Sequence, residues 1–225
     1  RSRDWEPLIG ATLEQLATPD GVVYDVGANL GVFTLVAARG VGPGGLVVAI
    51  EPDPDNVALL AANIMHNGYR QVVVYAYAAG PRAGAVTLDR STNNQGDHHT
   101  FGQRGERPGL TVSMQTLDAI AISCGRLPDV VKIDVQGFEV QALAGMTELL
   151  RRGAPRAILT ELSPSLLAAA GDSAAAYLDL LRGYGFRLQH LDPGAGRLRE
   201  LDAAGLAAEV ARCGDGGFTD LLCTR

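Results

Sequence analysis

The strongest constraint in this sequence is an alternation. Short apolar, β-branched runs are followed by stretches of helical periodicity: Val22 to Val26 then 31–39, Leu46 to Ile50 then 54–66, and Val72 to Tyr77. After an interruption the alternation resumes with Val130 to Ile133 then 138–151, Arg156 to Leu162 then 173–183, and strand-like runs at 186–191 and 218–223. Strands that lie parallel need crossover connections, and strands covered on both faces are apolar throughout. The pattern therefore predicts α/β architecture: a Rossmann-like, doubly wound, mostly parallel sheet with helices on both faces. Local signals agree with it. Over 54–66, Asp53 is a natural N-cap, Pro54 suits the first helical position, Val57, Leu60, Ala61 and Ile64 share one face, and Asn67-Gly68 stops the helix. Leu8, Ile9, Leu13 and Leu16 predict an N-terminal helix within residues 1–20, closed by the turn residues Thr18-Pro19-Asp20-Gly21.

Residues 79–128 break the alternation. Ala85 to Leu88 is expected to form a hairpin with Val72 to Tyr77 across the Gly80-Pro81 turn, and 90–110 has no hydrophobic period. A stretch of that kind inside a compact domain is usually functional, and it reads as an acceptor-side lid. With 225 residues, the whole of 1–225 is expected to be one domain carrying this insertion. A net charge of −6, with basic residues scattered rather than clustered, argues against a nucleic-acid partner. The three cysteines, Cys124, Cys213 and Cys223, form no C-x-x-C pair, so a reducing, cytoplasmic setting is expected. No apolar run reaches membrane-spanning length, and no membrane partner is expected.

In a doubly wound sheet, ligands bind beyond the carboxyl ends of the strands where strand order reverses, commonly after the first strand. There the sequence reads Asp25-Val26-Gly27-Ala28-Asn29-Leu30-Gly31. Gly27 and Gly31 permit a sharp turn and close backbone approach, the N–H groups opening the next helix suit a carboxylate, and Asp25 is expected to accept from an ammonium group. An ammonium beside a carboxylate is the amino-acid end of S-adenosylmethionine (SAM). Glu51, directly after the second strand, is placed to hold the ribose hydroxyls of a nucleoside. NAD shares that ribose, but G-A-N-L-G is not G-x-G-x-x-G, so the loop favours the zwitterion over a pyrophosphate.

Three segments carry a resemblance to the FkbM-type methyltransferases: Val23-Tyr24-Asp25-Val26-Gly27-Ala28-Asn29-Leu30-Gly31, Ala49-Ile50-Glu51-Pro52 with Asn56 and Leu60, and Val131-Lys132-Ile133-Asp134-Val135-Gln136-Gly137-Phe138-Glu139 with Leu143 and Gly145. Thr116-Leu117-Asp118 and Thr160-Glu161-Leu162 also look like that family. The resemblance runs from about residue 20 onward. It implies a class I SAM methyltransferase fold acting on the oxygen of a sugar, polyketide or other natural-product hydroxyl. It also implies a cofactor set of Asp25, Gly27, Asn29, Gly31, Glu51 and the backbone of Ala79. The stretch Ala78-Ala79-Gly80 departs from many class I enzymes by offering adenine only backbone groups.

Methylation of an alcohol needs the hydroxyl aligned with the sulfonium methyl and a proton removed from oxygen. Asp134, at the end of the fourth core strand, falls on the same rim as Gly27 and Glu51, whereas Glu139 in the first helical turn reads as structural. Among four histidines, His66 and His190 have ordinary structural explanations. His98 lies in Asn93-Asn94-Gln95-Gly96-Asp97-His98-His99, and its near-neutral pKa makes it the first choice as base, with His99 in reserve. Asp134 and Glu161, both at strand ends, leave open a hard cation such as Mg²⁺, although the cofactor set does not require one. The expected partner is a small hydroxylated acceptor, with a homodimer left open. The competing readings are an NAD(P)-dependent oxidoreductase and a non-catalytic nucleoside-binding module on the same scaffold.

Overall fold

The computed structural model describes residues 7–88, 109–192, 194–214 and 216–225. The first half of the chain runs α1 (Pro7–Leu16), β1 (Val22–Val26), α2 (Val32–Val41), β2 (Leu46–Ile50), α3 (Pro54–Asn67) and β3 (Val72–Tyr75). The insertion follows with β4 (Ala78–Ala79), β5 (Gly84–Leu88), β6 (Leu110–Gln115) and α4 (Leu117–Cys124). The second half has β7 (Val130–Ile133), α5 (Glu139–Ala144), α6 (Thr147–Arg151), β8 (Ala157–Leu162), α7 (Pro164–Ala169) and α8 (Ala174–Gly183). It closes with β9 (Arg187–Asp192), β10 (Arg197–Glu200), α9 (Ala203–Arg212) and β11 (Thr219–Thr224). No described helix is long and apolar enough to cross a membrane.

The main sheet has the order β10-β9-β11-β8-β7-β1-β2-β3. β3, β2, β1, β7 and β8 are mutually parallel, while β11 is antiparallel to both β8 and β9. Chain order runs outward from β1 in both directions, so β1 is the switch point and its carboxyl end opens the crevice between the two halves. Every residue of β1 and β7 is buried, as the apolar runs require. One face packs Tyr24, Ile133, Ile158 and Leu221 against α4, α6 and α8. The other packs Val23, Val47 and Leu159 against α1 and α2 through Leu13, Phe33 and Ala37. Helix ends behave as their sequences predict: the Asp53 carboxylate accepts from Asp55 N and Asn56 N, and Gly68 closes α3 at φ 71°.

Two expectations are corrected. β5 does not pair with the third strand. It pairs antiparallel with β6, which also runs parallel to β4, making a separate three-stranded sheet of order β4-β6-β5. The reason is the alternation in β6, where Val112 and Met114 turn inward with Leu88, Ala78 and Phe138, while β3 extends the main sheet beside β2. The helix expected over 138–151 is two helices, broken at Gly145. The carbonyl of Gly80 lies against Gly145, and a Cβ there would stand 2.2 Å from that oxygen. Asp118 then starts a fresh helix by accepting from Glu148 N (3.0 Å) and Leu149 N (2.9 Å).

Gly145→Ala is accordingly expected to destabilise the fold by about 1–3 kcal/mol, the usual cost of overpacking. Urea denaturation measures it; an unchanged midpoint would contradict this account of the helix break.

Candidate active site

The loop leaving β1 is built around three residues in the left-handed region: Gly27 at φ 78°, Asn29 at φ 50° and Gly31 at φ 93°. Gly27 N and Ala28 N both donate to Ile50 O, at 2.9 and 3.1 Å, which ties the loop to the end of β2. A Cβ on Gly27 would stand 1.8 Å from the carbonyl oxygen of Asp134, and one on Gly31 would stand 2.5 Å from Leu60 Cδ1. Glycine is therefore required at Gly27 by packing as well as by φ, and favoured at Gly31 by φ. Gly31 caps α2 and has no side chain of its own to bond the helix's positive end.

Glu51 stands at the end of β2 and is buried. Its Oε2 accepts from Asn29 N at 2.9 Å; Oε1 accepts from Asp53 N at 2.9 Å and Asn56 Nδ2 at 3.4 Å. Burial pushes its pKa up and these hydrogen bonds oppose the rise. A carboxylate has about four lone-pair positions, so capacity remains on Oε2. A fixed carboxylate with lone-pair capacity for a hydroxyl donor, next to a helix start capped by glycine, suits a nucleoside that carries an amino-acid carboxylate. The donor set fits SAM.

Asp25 is the fourth residue of β1 and lies just before the loop. It has no exposed surface, its Oδ2 accepts from Thr34 Oγ1 at 2.6 Å, and its Oδ1 faces Lys132 Nζ at 3.8 Å. Burial raises its pKa, countered by the Lys132 charge and the Thr34 hydroxyl. Asp25 thus supports the loop from beneath. Lys132, its register partner across the β1–β7 pair, is also buried, with Nζ 3.3 Å from Asp134 Oδ2 and 4.7 Å from the centre of the Phe33 ring. Sequence reasoning gave Lys132 no role. The available signal was a lysine inside the apolar strand Val130-Val131-Lys132-Ile133.

Asp134 follows β7 on the same rim, its N donating to Val26 O at 3.0 Å and its carboxylate partly exposed. Gln136 Nε2 donates to Asp134 Oδ1 at 2.8 Å. Glu139 is structural: its Oε1 accepts from Gly137 N (3.1 Å) and Val135 N (3.3 Å), and burial pushes its pKa up to about 7. Glu161, in β8 opposite Asp220 of β11, is pushed up to about 9 by burial and by the neighbouring carboxylates of Asp134, Asp220 and Glu139. Among the described residues no group of three or more His, Cys, Asp or Glu is arranged to hold a metal ion, and Asp134 engages Lys132 and Gln136 instead. Ala79 is buried in β4 with Gln115 as its register partner, and Gly80 N donates to Gln115 O at 3.0 Å. The structure thus gathers Gly27, Asn29, Gly31 and Glu51 around one loop and seats Asp134 against it; His98 and His99 lie outside the described residues.

A doubly wound sheet of this strand order, with its glycine loop after β1 and its acid after β2, is a class I methyltransferase fold. The O-methyltransferase from Bacillus cereus in complex with SAH has the same fold, with TM-score 0.53 and 16% identity over 99% of this chain and 82% of that one. A methyltransferase FkbM from Methylobacillus flagellatus KT superposes with TM-score 0.56 and 17% identity over 92% of this chain and 44% of that one. Residues 25–188 match the Methyltransferase FkbM domain, and the chain belongs to that family. Hexuronic acid methyltransferase AglP from Haloferax volcanii is 28% identical over 151 residues, which is 66% of this chain and 59% of AglP.

Among the raised carboxyls, Glu139 and Glu161 make stability depend on pH over a defined window. Between its ordinary value near 4.5 and its folded value, a raised carboxyl is protonated in the native state and ionised in the unfolded chain, so stability falls as pH rises. For Glu139 the fall ends near pH 7, and for Glu161 it continues to about pH 9. Glu161→Gln is therefore expected to flatten the decline in melting temperature between pH 7 and 9. An equal slope in variant and wild type would contradict the assignment.

Proposed function

We propose that this domain transfers the methyl group of SAM to a hydroxyl oxygen of a small molecule such as a sugar, polyketide or other natural-product intermediate. The observation that carries the reading is Glu51, a buried carboxylate held by Asn29 N, Asp53 N and Asn56 Nδ2 beside the Gly27–Gly31 loop. The name of AglP, a hexuronic acid methyltransferase, adds weight to a sugar acceptor. The absence of G-x-G-x-x-G counts against NAD(P) chemistry.

When bound, SAM supplies an electrophilic methyl on a sulfonium. Glu51 would hold the ribose hydroxyls, and the start of α2 would receive the amino-acid carboxylate. Asp134, on the rim of β7, would face the cofactor's positive charge. His98 would take the proton from the acceptor oxygen. No step runs through a divalent ion.

Incubation of the protein with SAM and a panel of hydroxylated metabolites, followed by mass spectrometry, tests the proposal. One added methyl on an acceptor, bound through oxygen by NMR, is the expected result; methylation at carbon or nitrogen would overturn the O-methylation reading. With that acceptor, His98→Ala is expected to leave SAH affinity nearly intact and lower turnover by ~10²–10⁴-fold. A wild-type rate would remove His98 as the base. Glu51→Ala is expected to weaken SAH binding by about 1.5–3 kcal/mol while changing turnover at saturating SAM much less. Unchanged affinity would take Glu51 out of the site.

A further inference from the structure

Among the described residues, Gln136 is one of three non-glycine residues in the left-handed region, at φ 54°, and the next residue, Gly137, is there too at φ 97°. A left-handed conformation costs an L-residue roughly 1–2 kcal/mol that glycine avoids. Asp20 and Asn29, the other two, belong to the residue types that tolerate it through short side chains with local hydrogen bonds. A glutamine has no such excuse. What its side chain does is donate from Nε2 to Asp134 Oδ1 at 2.8 Å, while Lys132 Nζ holds Oδ2 at 3.3 Å. Both oxygens of one partly exposed carboxylate are therefore held, one by a buried ammonium and one by an amide on a strained backbone. The backbone beneath is held as well, since Glu139 Oε1 accepts from Val135 N and Gly137 N. Strain confined to a residue whose side chain grips a rim carboxylate points from geometry to function.

We propose that Gln136 is a positioning residue that, with Lys132, fixes the Asp134 carboxylate where it faces the sulfonium of SAM. The inference rests on the reading above that Asp134 stands beside that sulfonium. Its consequence is selective: a carboxylate held there favours cationic SAM over SAH, which lacks the charge. Released from Gln136, Asp134 swings among solvated rotamers and the preference shrinks. Gln136→Gly is the informative variant, because it removes the amide without changing any charge and relieves the backbone at the same time.

Calorimetry of SAM and SAH on wild type, Asp134→Asn, Gln136→Gly and Gln136→Asn tests this without needing an acceptor. Wild type is expected to prefer SAM, and Asp134→Asn to lose that preference by on the order of tenfold. Gln136→Gly should lower it by about two- to tenfold, as for loss of one hydrogen bond, with SAH affinity and melting temperature held or raised. Gln136→Asn tolerates the backbone but is one methylene shorter and should behave like Gln136→Gly. An unchanged preference in Asp134→Asn would overturn the placement of Asp134 and the inference with it. A preference lost in Asp134→Asn but intact in Gln136→Gly would overturn the positioning role alone. A melting temperature that falls in Gln136→Gly together with SAH affinity would assign Gln136 a structural role and also overturn it.

Discussion

Two opposite charges stand side by side in the middle of the sheet, and much of the structure is arranged around them. Asp25 of β1 and Lys132 of β7 are register partners, both buried, with Nζ 3.8 Å from Oδ1. Removing Lys132 would leave the Asp25 carboxylate buried without its cation, a loss of about 3–5 kcal/mol. The pair also specifies register, because a slip of one residue would turn each charge to the opposite face of the sheet. That register brings Asp134 onto Gly27, whose missing side chain leaves room for the Asp134 carbonyl. The glycine loop after β1 and the rim at the end of β7 are thus assembled by one pairing.

From this pairing the site follows in layers. Thr34 and Phe33 of α2 reach the buried charges, the former by a hydrogen bond to Asp25 and the latter by stacking under Lys132. The start of α2 is consequently fixed relative to β1, which fixes the Gly31 turn. On the other side, Asn29 N bonds the Glu51 carboxylate, so the loop links β1 to β2 as well as to β7. Groups meant for ligand sit on this frame with few degrees of freedom of their own, which is the preorganisation that binding and methyl transfer both need.

The main sheet was legible in the sequence because buried parallel strands announce themselves as uniform apolar runs, and the α3 caps because Asp53, Pro54 and Gly68 each carry a distinct local signal. The second sheet was not. Leu110, Val112 and Met114 alternate over only six residues, and their partner strand ends at Leu88, across a stretch without period. The break at Gly145 was equally hidden, since its causes are the Gly80 carbonyl and the Asp118 carboxylate, both distant in sequence. Within the site, Gly27, Gly31 and Glu51 were readable from their place after strands. The sealing of Asp25 was not, because it depends on Lys132 and Thr34, residues whose roles appear only once β1, β7 and α2 are packed together.

The ligand that the crevice at β1 accepts separates SAM chemistry from dinucleotide chemistry. Isothermal calorimetry with SAH and with NAD on the intact chain measures this directly. Saturable one-to-one binding of SAH, with no heat from NAD, is the predicted result. Binding of NAD without binding of SAH would contradict it and return the glycine loop and Glu51 to dinucleotide chemistry.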